Sequence, residues 1–241
     1  MSTRRALITG GSGAIGAAIC RRLAADGCHV IIHANSGLDR AQALCESLLE
    51  QGHSAETVCF DVTDAEASSV ALERLLEGGP IQIVVNNAGV HDDAAFPGMS
   101  AQQWHRVIDV SLHGFFHVTQ PLTLPMVRTR WGRIITISSI AGLVGNRGQA
   151  NYAAAKGALH AATKTLSIEL ASRGITVNAV APGVISSDMT ERVFDSQRIG
   201  EMVPMKRAGR PEEVAALVGF LASDDAAYIS GQVIGVNGGM C

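Results

Sequence analysis

Short, almost wholly apolar runs alternate along the chain with longer stretches whose apolar positions recur every three or four residues. The runs are Ala6-Leu7-Ile8, His29 to Ile32, Thr57 to Phe60, Ile81 to Val85, Arg133 to Ile137, Thr176 to Val180 and Gln232 to Val236, each read as a strand. Ile15 to Ala25, Asp39 to Leu49, Asp64 to Leu76, Tyr152 to Leu170 and Glu212 to Leu221 carry the helical period. Their alternation predicts an α/β fold: a doubly wound, mostly parallel seven-stranded sheet with helices on both faces. Parallel strands covered on both sides need no polar face, which explains runs that are apolar throughout. No repeat, linker or low-complexity tract interrupts the pattern, so residues 1–241 are expected to form one domain.

With 47% hydrophobic, 17% charged and 4% aromatic residues, the composition is that of a globular protein, against the disordered and disulfide-framed classes. The 19 bases and 22 acids give a net charge of −3, which is not the balance of a nucleic-acid binder. Cys20, Cys28, Cys45, Cys59 and Cys241 form no Cys-x-x-Cys pair or metal-type cluster, so reduced thiols in a cytoplasmic protein and no metal are expected. Ala6-Leu7-Ile8 is too short for a signal-peptide core, and no run approaches the roughly 18 apolar residues of a membrane helix. A soluble protein is expected.

Three motifs carry candidate chemistry. Thr9-Gly10-Gly11-Ser12-Gly13-Ala14-Ile15-Gly16 closes the first strand and opens the first helix, whose N-terminal amides and dipole suit a pyrophosphate. Such a turn also occurs for purely structural reasons, and its spacing differs from the three-glycine dinucleotide fingerprint. Asn86-Asn87-Ala88-Gly89 follows the fourth strand, at the sheet edge where ligands bind, as a plain turn or as a brace for a cofactor floor. Ser139 follows the fifth strand, and Tyr152 and Lys156 are four apart on one helix face. With two tyrosines and three lysines in the chain, that spacing arises by chance in about one such chain in forty.

A carbonyl that accepts hydride also needs a proton. A phenol of ordinary pKa ~10 must be tuned by about three units, roughly 4 kcal/mol, to serve near neutrality. An ammonium about 4 Å away at an effective dielectric near 20 supplies about that much, so Lys156 is expected to tune Tyr152. Ser139 can hold the same carbonyl oxygen as charge develops.

In this order, Thr9-Gly10-x-x-x-Ala14-x-Gly16, Asn86-Asn87-Ala88-Gly89, Ser139, Tyr152-x-x-x-Lys156 and Pro182-Gly183 resemble the short-chain dehydrogenase/reductases, Rossmann-fold oxidoreductases. Gly148 to Lys156, Ser172 to Asn178 and Tyr228 to Met240 are similar to the 3-oxoacyl-[acyl-carrier-protein] reductases. The resemblance implies NADPH-dependent reduction of a 3-oxoacyl thioester in fatty-acid or polyketide-type synthesis, by a cytoplasmic homotetramer. It implies a cofactor cradle of Gly10, Ser12, Gly13, Ile15 and Gly16, with Asp61 and Val62 at the adenine. Asn87, Ala88, Gly89, Tyr152, Lys156, Pro182, Gly183, Ile185 and Ser187 continue it. Arg130 and Arg173 align with positions that dock acyl carrier protein, and Arg128 and Arg133 are expected to enlarge that positive patch. Four arginines are also compatible with a plain solvated surface. Residues 184–205 are expected to form a substrate lid.

Two positions depart from the family. Ala14 stands for its middle glycine, and Ser111 for an asparagine of a long helix that holds a proton-relay water. Ser111 is therefore a fourth candidate catalytic residue. NAD sites usually carry a carboxylate about 20 residues after the glycine turn. This chain has His33-Ala34-Asn35-Ser36 there, and Asn35, Ser36 and Arg40 are candidates to bind a 2′-phosphate instead. The family's basic residue inside the turn is replaced by Gly13. Two alternatives stand beside this reading: a reductase of free ketones or other carbonyls, and a nucleotide-binding subunit whose catalysis has lapsed at Ser111.

Overall fold

A computed structural model describes residues 3–187 and 195–241. The strands are β1 (Arg5–Ile8), β2 (His29–Ala34), β3 (Ser54–Cys59), β4 (Ile83–Asn86), β5 (Gly132–Ile137), β6 (Ile175–Pro182) and β7 (Val233–Val236). All seven pair in parallel, in the order β3-β2-β1-β4-β5-β6-β7. Sheet growth reverses between β1 and β4, which opens a crevice outside the carboxyl ends of those strands.

Alternate side chains of each strand feed two apolar layers. Ala6 and Ile8 pack with α1 (Ala14–Ala25), α2 (Leu38–Glu50) and Val214, Val218 and Leu221 of a late helix, Pro211–Ala222. Leu7 packs on the other face with Leu72 of α3 (Ala65–Glu77) and with Val118, Leu122 and Met126. Those three belong to a segment in which α4 (Ala101–Ile108) runs through a π-helical turn, Asp109–His113, into α5 (Gly114–Thr129). Next come α6 (Ala141–Val144) and α7 (Ala150–Leu170), then α8 (Ser196–Met202), with the late helix as α9.

The expected elements are present, with two differences. β3 starts at Ser54, three residues before the apolar run, because it is an edge strand and its residues are only half-buried or exposed. The helical stretch from Ala101 to Thr129 shows poorly in periodicity: the π turn shifts its phase, and Pro121 and Pro125 lie inside α5. Of the expected lid at 184–205, residues 188–194 fall outside the described residues.

The expected surface role of Arg133 is corrected. Its side chain is 2% exposed and donates twice to the Ser223 carbonyl, at 3.1 Å, and once to that of Gly132, at 2.9 Å. Its guanidinium and that of Arg4 stack on Trp131 at 4.2 and 3.9 Å, while Asp224 accepts from the indole N–H and from Arg4. A cation placed this way ties β5 to the end of α9 and contributes nothing to a docking patch. Among the described residues, no helix is long and apolar enough to cross a membrane, and no group of three or more His, Cys, Asp or Glu could hold a metal.

Candidate active site

β1 ends in a turn that only glycine can make. Gly10 has φ +62°, and a Cβ on Gly16 would collide with the Gly10 carbonyl and the Asn87 amide, so α1 starts close against the strand. The Asn87 amide donates to the Thr9 and Gly10 carbonyls, both at 3.0 Å. The Thr9 hydroxyl accepts from the Asn87 and Ala88 amides, both at 2.9 Å. The loop after β4 is thus a brace for the glycine turn. Gly13 caps α1 without any side-chain bond, and Gly13 and Ala14 are exposed, which leaves the positive helix end open to an anion. These residues fit the pyrophosphate of a dinucleotide.

Beside this turn, a Cβ on Gly37 would lie 2.6 Å from the Ser12 hydroxyl and 2.9 Å from the Arg40 guanidinium, so those two side chains meet over that glycine. They share a groove of about 320 Å³ with Arg21 and Ser47. Asn35 and Ser36 are exposed nearby. Asp61 accepts from the Thr63 amide and hydroxyl, both at 2.8 Å, and from the Asn35 side chain; the Thr63 amide is the main reason its pKa lies below the usual range. The Val62 side chain is buried against Gly114, and its carbonyl accepts from the His117 ring.

On the other side of the crevice, Ser139 follows β5 while Tyr152 and Lys156 rise from the first two turns of α7. The Ser139 oxygen accepts the Ala141 amide at 3.1 Å and its hydroxyl hydrogen-bonds the Tyr152 phenol. Lys156 is 4% exposed, donates to the Ile137 carbonyl at 2.9 Å, and places its ammonium 5.5 Å from the centre of the Tyr152 ring. Gly89 lies against it, since a Cβ there would be 3.2 Å from the ammonium and 3.8 Å from the Ser111 hydroxyl. The three residues expected to work together do meet.

Residues 11–241 match the family described as Enoyl-(Acyl carrier protein) reductase. The chain is 44% identical over 237 residues to the 3-oxoacyl-[acyl-carrier-protein] reductase FabG of Aggregatibacter actinomycetemcomitans, covering 98% of each chain. It is 45% identical over 238 residues to the FabG of Escherichia coli K12, covering 98% of this chain and 96% of that one. Nodulation protein G of Azospirillum brasilense is 41% identical over 243 residues, covering 100% and 99%. The chain belongs to the short-chain dehydrogenase/reductases. It is an oxidoreductase of a family that uses a nicotinamide cofactor.

Around the phenol of this dehydrogenase/reductase, burial and two polar neighbours act on its proton affinity. Burial pushes the Tyr152 pKa up, the Ser139 hydrogen bond pulls it back, and the Asp93 carboxylate raises it. The same burial shifts the Lys156 ammonium the other way, down to about 8. At neutral pH the phenol therefore holds its proton, as a donor must.

The π turn presents Ser111 to the same place. Ser111 and Thr136 carry buried hydroxyls without a protein partner, and both line a cavity of about 10 Å³ with Thr9, Asn86, Gly89's neighbour Ala88, and Lys156. That volume is about the space one water needs.

The Pro182 carbonyl accepts the Ile140 amide at 2.9 Å, which draws Pro182 and Gly183 to the Ser139 loop. Ile185 bridges Gly209, and Ser187 stands at the last described position before residue 195. Arg130 donates to the Ser172 carbonyl at 3.1 Å, beside Arg173, so the two arginines are neighbours. They precede β5 and β6, at the edge opposite Tyr152.

Sequence reasoning passed over two polar anchors. Asn151 is fully buried, accepts the Tyr152 amide at 2.8 Å and donates to the Asp92 and Gln103 carbonyls at 3.0 and 3.1 Å, fixing the first turn of α7 to the loop after β4. His33, read only as part of a stretch without carboxylates, is 1% exposed and bonds the glycine turn.

The buried ammonium makes a pH prediction. Between pH 8 and 10.5 the unfolded chain holds a proton that folded Lys156 has released, so this group's contribution to stability rises with pH across that window, by up to about 3 kcal/mol. Chemical denaturation of wild type and Lys156→Met should show wild type gaining on the variant from pH 8 to 10.5. A constant difference would show that burial does not depress this lysine.

Proposed function

We propose that the chain reduces a 3-oxoacyl thioester carried by acyl carrier protein to the 3-hydroxyacyl form, with NADPH as reductant. The observation that carries this reading is the pair of adjacent hydroxyls, Ser139 and Tyr152, beside a buried ammonium at the edge of a dinucleotide cradle. Relatives that are 41–45% identical over nearly the whole chain include FabG proteins named for this reaction. When bound in this cradle, a reduced nicotinamide would supply the hydride that the carbonyl carbon accepts. Ser139, with one lone pair held by Ala141, donates to the carbonyl oxygen and orients it. Tyr152 gives that oxygen its proton as the negative charge appears. Lys156, with its pKa near 8, and the Ser111 and Thr136 hydroxyls around the small cavity form the route by which the phenol regains a proton. Ser111 thus takes the relay position with a shorter side chain.

NADPH is favoured over NADH by local charge. Ser12, Asn35, Ser36 and Arg40 are proposed to surround the ribose, and the carboxylate of Asp61, after β3, is held by Thr63 and Asn35. Arg40 supplies the cation that Gly13 lacks. Arg130 and Arg173 are proposed to dock the carrier protein. A six-residue strand separates their edge from the Tyr152 edge by about 20 Å. Phe116 and Leu124 of α5 and Ile168 of α7, each more than half exposed, give the apolar faces that a homotetramer would cover.

The family description favours a second reading, reduction of an enoyl thioester. That reaction protonates carbon, whereas two hydroxyls side by side suit an oxygen. Purified protein should oxidise NADPH with 3-oxoacyl thioesters, faster when they are carrier-bound, and not with the matching 2-enoyl thioesters. Tyr152→Phe should cut kcat by about 10²–10⁴ with NADPH binding kept. Turnover only of enoyl thioesters or of free ketones, or a Tyr152→Phe variant within a few fold of wild type, would overturn the assignment.

The cofactor assignment has its own test. Arg40→Ala should weaken NADPH by about tenfold or more, the worth of a charge-assisted bond, while NADH is nearly unaffected. Equal losses for both cofactors would remove Arg40 from the phosphate site.

A further inference from the structure

His33 stands at the end of β2, 1% exposed, with its ring 4.2 Å from that of Phe60. Its two ring nitrogens face opposite kinds of partner. The Gly10 amide donates to Nδ1 at 3.1 Å, so Nδ1 carries no proton; the Phe60 carbonyl lies 2.9 Å from Nε2, so Nε2 must donate. Only the neutral Nε2–H tautomer satisfies both, because a proton on Nδ1 would point at the Gly10 N–H. The residue's own carbonyl accepts the next amide, Gly11, at 2.8 Å. His33 therefore takes two consecutive amides of the glycine turn, one by its ring and one by its backbone, and fixes them against the end of β3.

We propose that His33 is a positioning residue for the cofactor. Its ring sets the Gly10 amide and so the left-handed bend of the turn, on which the open N-terminus of α1 depends. This rests on the reading of that turn as the dinucleotide cradle. Asn87 holds the two carbonyls of the same corner, Thr9 and Gly10, and His33 holds the two amides, so the corner is clamped from both sides. Burial favours the neutral ring, and Asp61 is the charged group whose field reaches it in opposition.

Two substitutions split the roles of the ring. Asparagine places an oxygen where Nδ1 stands and keeps the Gly10 bond; glutamine places an amide nitrogen where Nε2 stands and keeps only the Phe60 bond. His33→Gln should weaken NADPH binding about tenfold, raise KM for NADPH with kcat nearly unchanged, and speed hydrogen exchange at residues 8–16 of the cofactor-free protein. His33→Asn should stay within a few fold of wild type in each. Proton-nitrogen correlation spectra of wild type at pH 7 should show His33 neutral with its proton on Nε2, a readout that needs no variant to fold.

A His33→Gln protein with wild-type NADPH affinity and exchange would overturn the proposal. So would an Asn variant as impaired as the Gln variant, or a ring protonated on Nδ1. Wild type that binds no nicotinamide dinucleotide would instead defeat the cofactor reading, while exchange and ring spectra still decide the His33 contact.

Discussion

Seven strands that all point the same way must end on one edge, and the layers of apolar side chains above and below leave only that edge for chemistry. The corner at the end of β1 governs what the edge can hold. Gly10 bends left-handed, Gly16 lets α1 approach, and Thr9, Asn87 and His33 take up the polar groups that the bend frees. With that corner set, the amide end of α1, the loop after β4 and Ser139 after β5 face one crevice. Tyr152 and Lys156 come from α7, and Asn151 locks that helix to the loop after β4.

Lys156 shows the cost of the arrangement. An ammonium taken out of water and given one carbonyl is disfavoured in its charged form, which is the reason its pKa falls to about 8. A lysine in that state can pass a proton near physiological pH, whereas an exposed one is always charged. The neighbouring phenol is shifted the opposite way by the same burial and stays protonated. The pair is thus set for giving a proton to an oxygen, the direction that reduction of a carbonyl requires.

The glycine turn, the Asn86 to Gly89 loop and the Tyr152-Lys156 spacing were legible in the sequence because each is local: a few consecutive or helically spaced residues define them. The sheet was legible because buried parallel strands are apolar throughout. What escaped is non-local or context-dependent. Ser54 to Glu56 do not look like a strand because an edge strand needs no continuous apolar run. Arg133 reads as surface from its charge, and only the packing of Trp131, Asp224 and the end of α9 buries it. The work of His33 depends on Gly10 and Phe60, 23 and 27 residues away, and nothing in its neighbours announces it.

The central claim is that this crevice passes hydride to a 3-oxo carbon while Tyr152 protonates the oxygen. Its most direct test is the mass of the product formed from a carrier-bound 3-oxoacyl thioester with NADPH carrying deuterium at both positions of nicotinamide carbon 4. The account predicts one deuterium per turnover, bonded at carbon 3 of the 3-hydroxyacyl product and retained in ordinary water. A product without deuterium at carbon 3, or with the label at carbon 2, would contradict it.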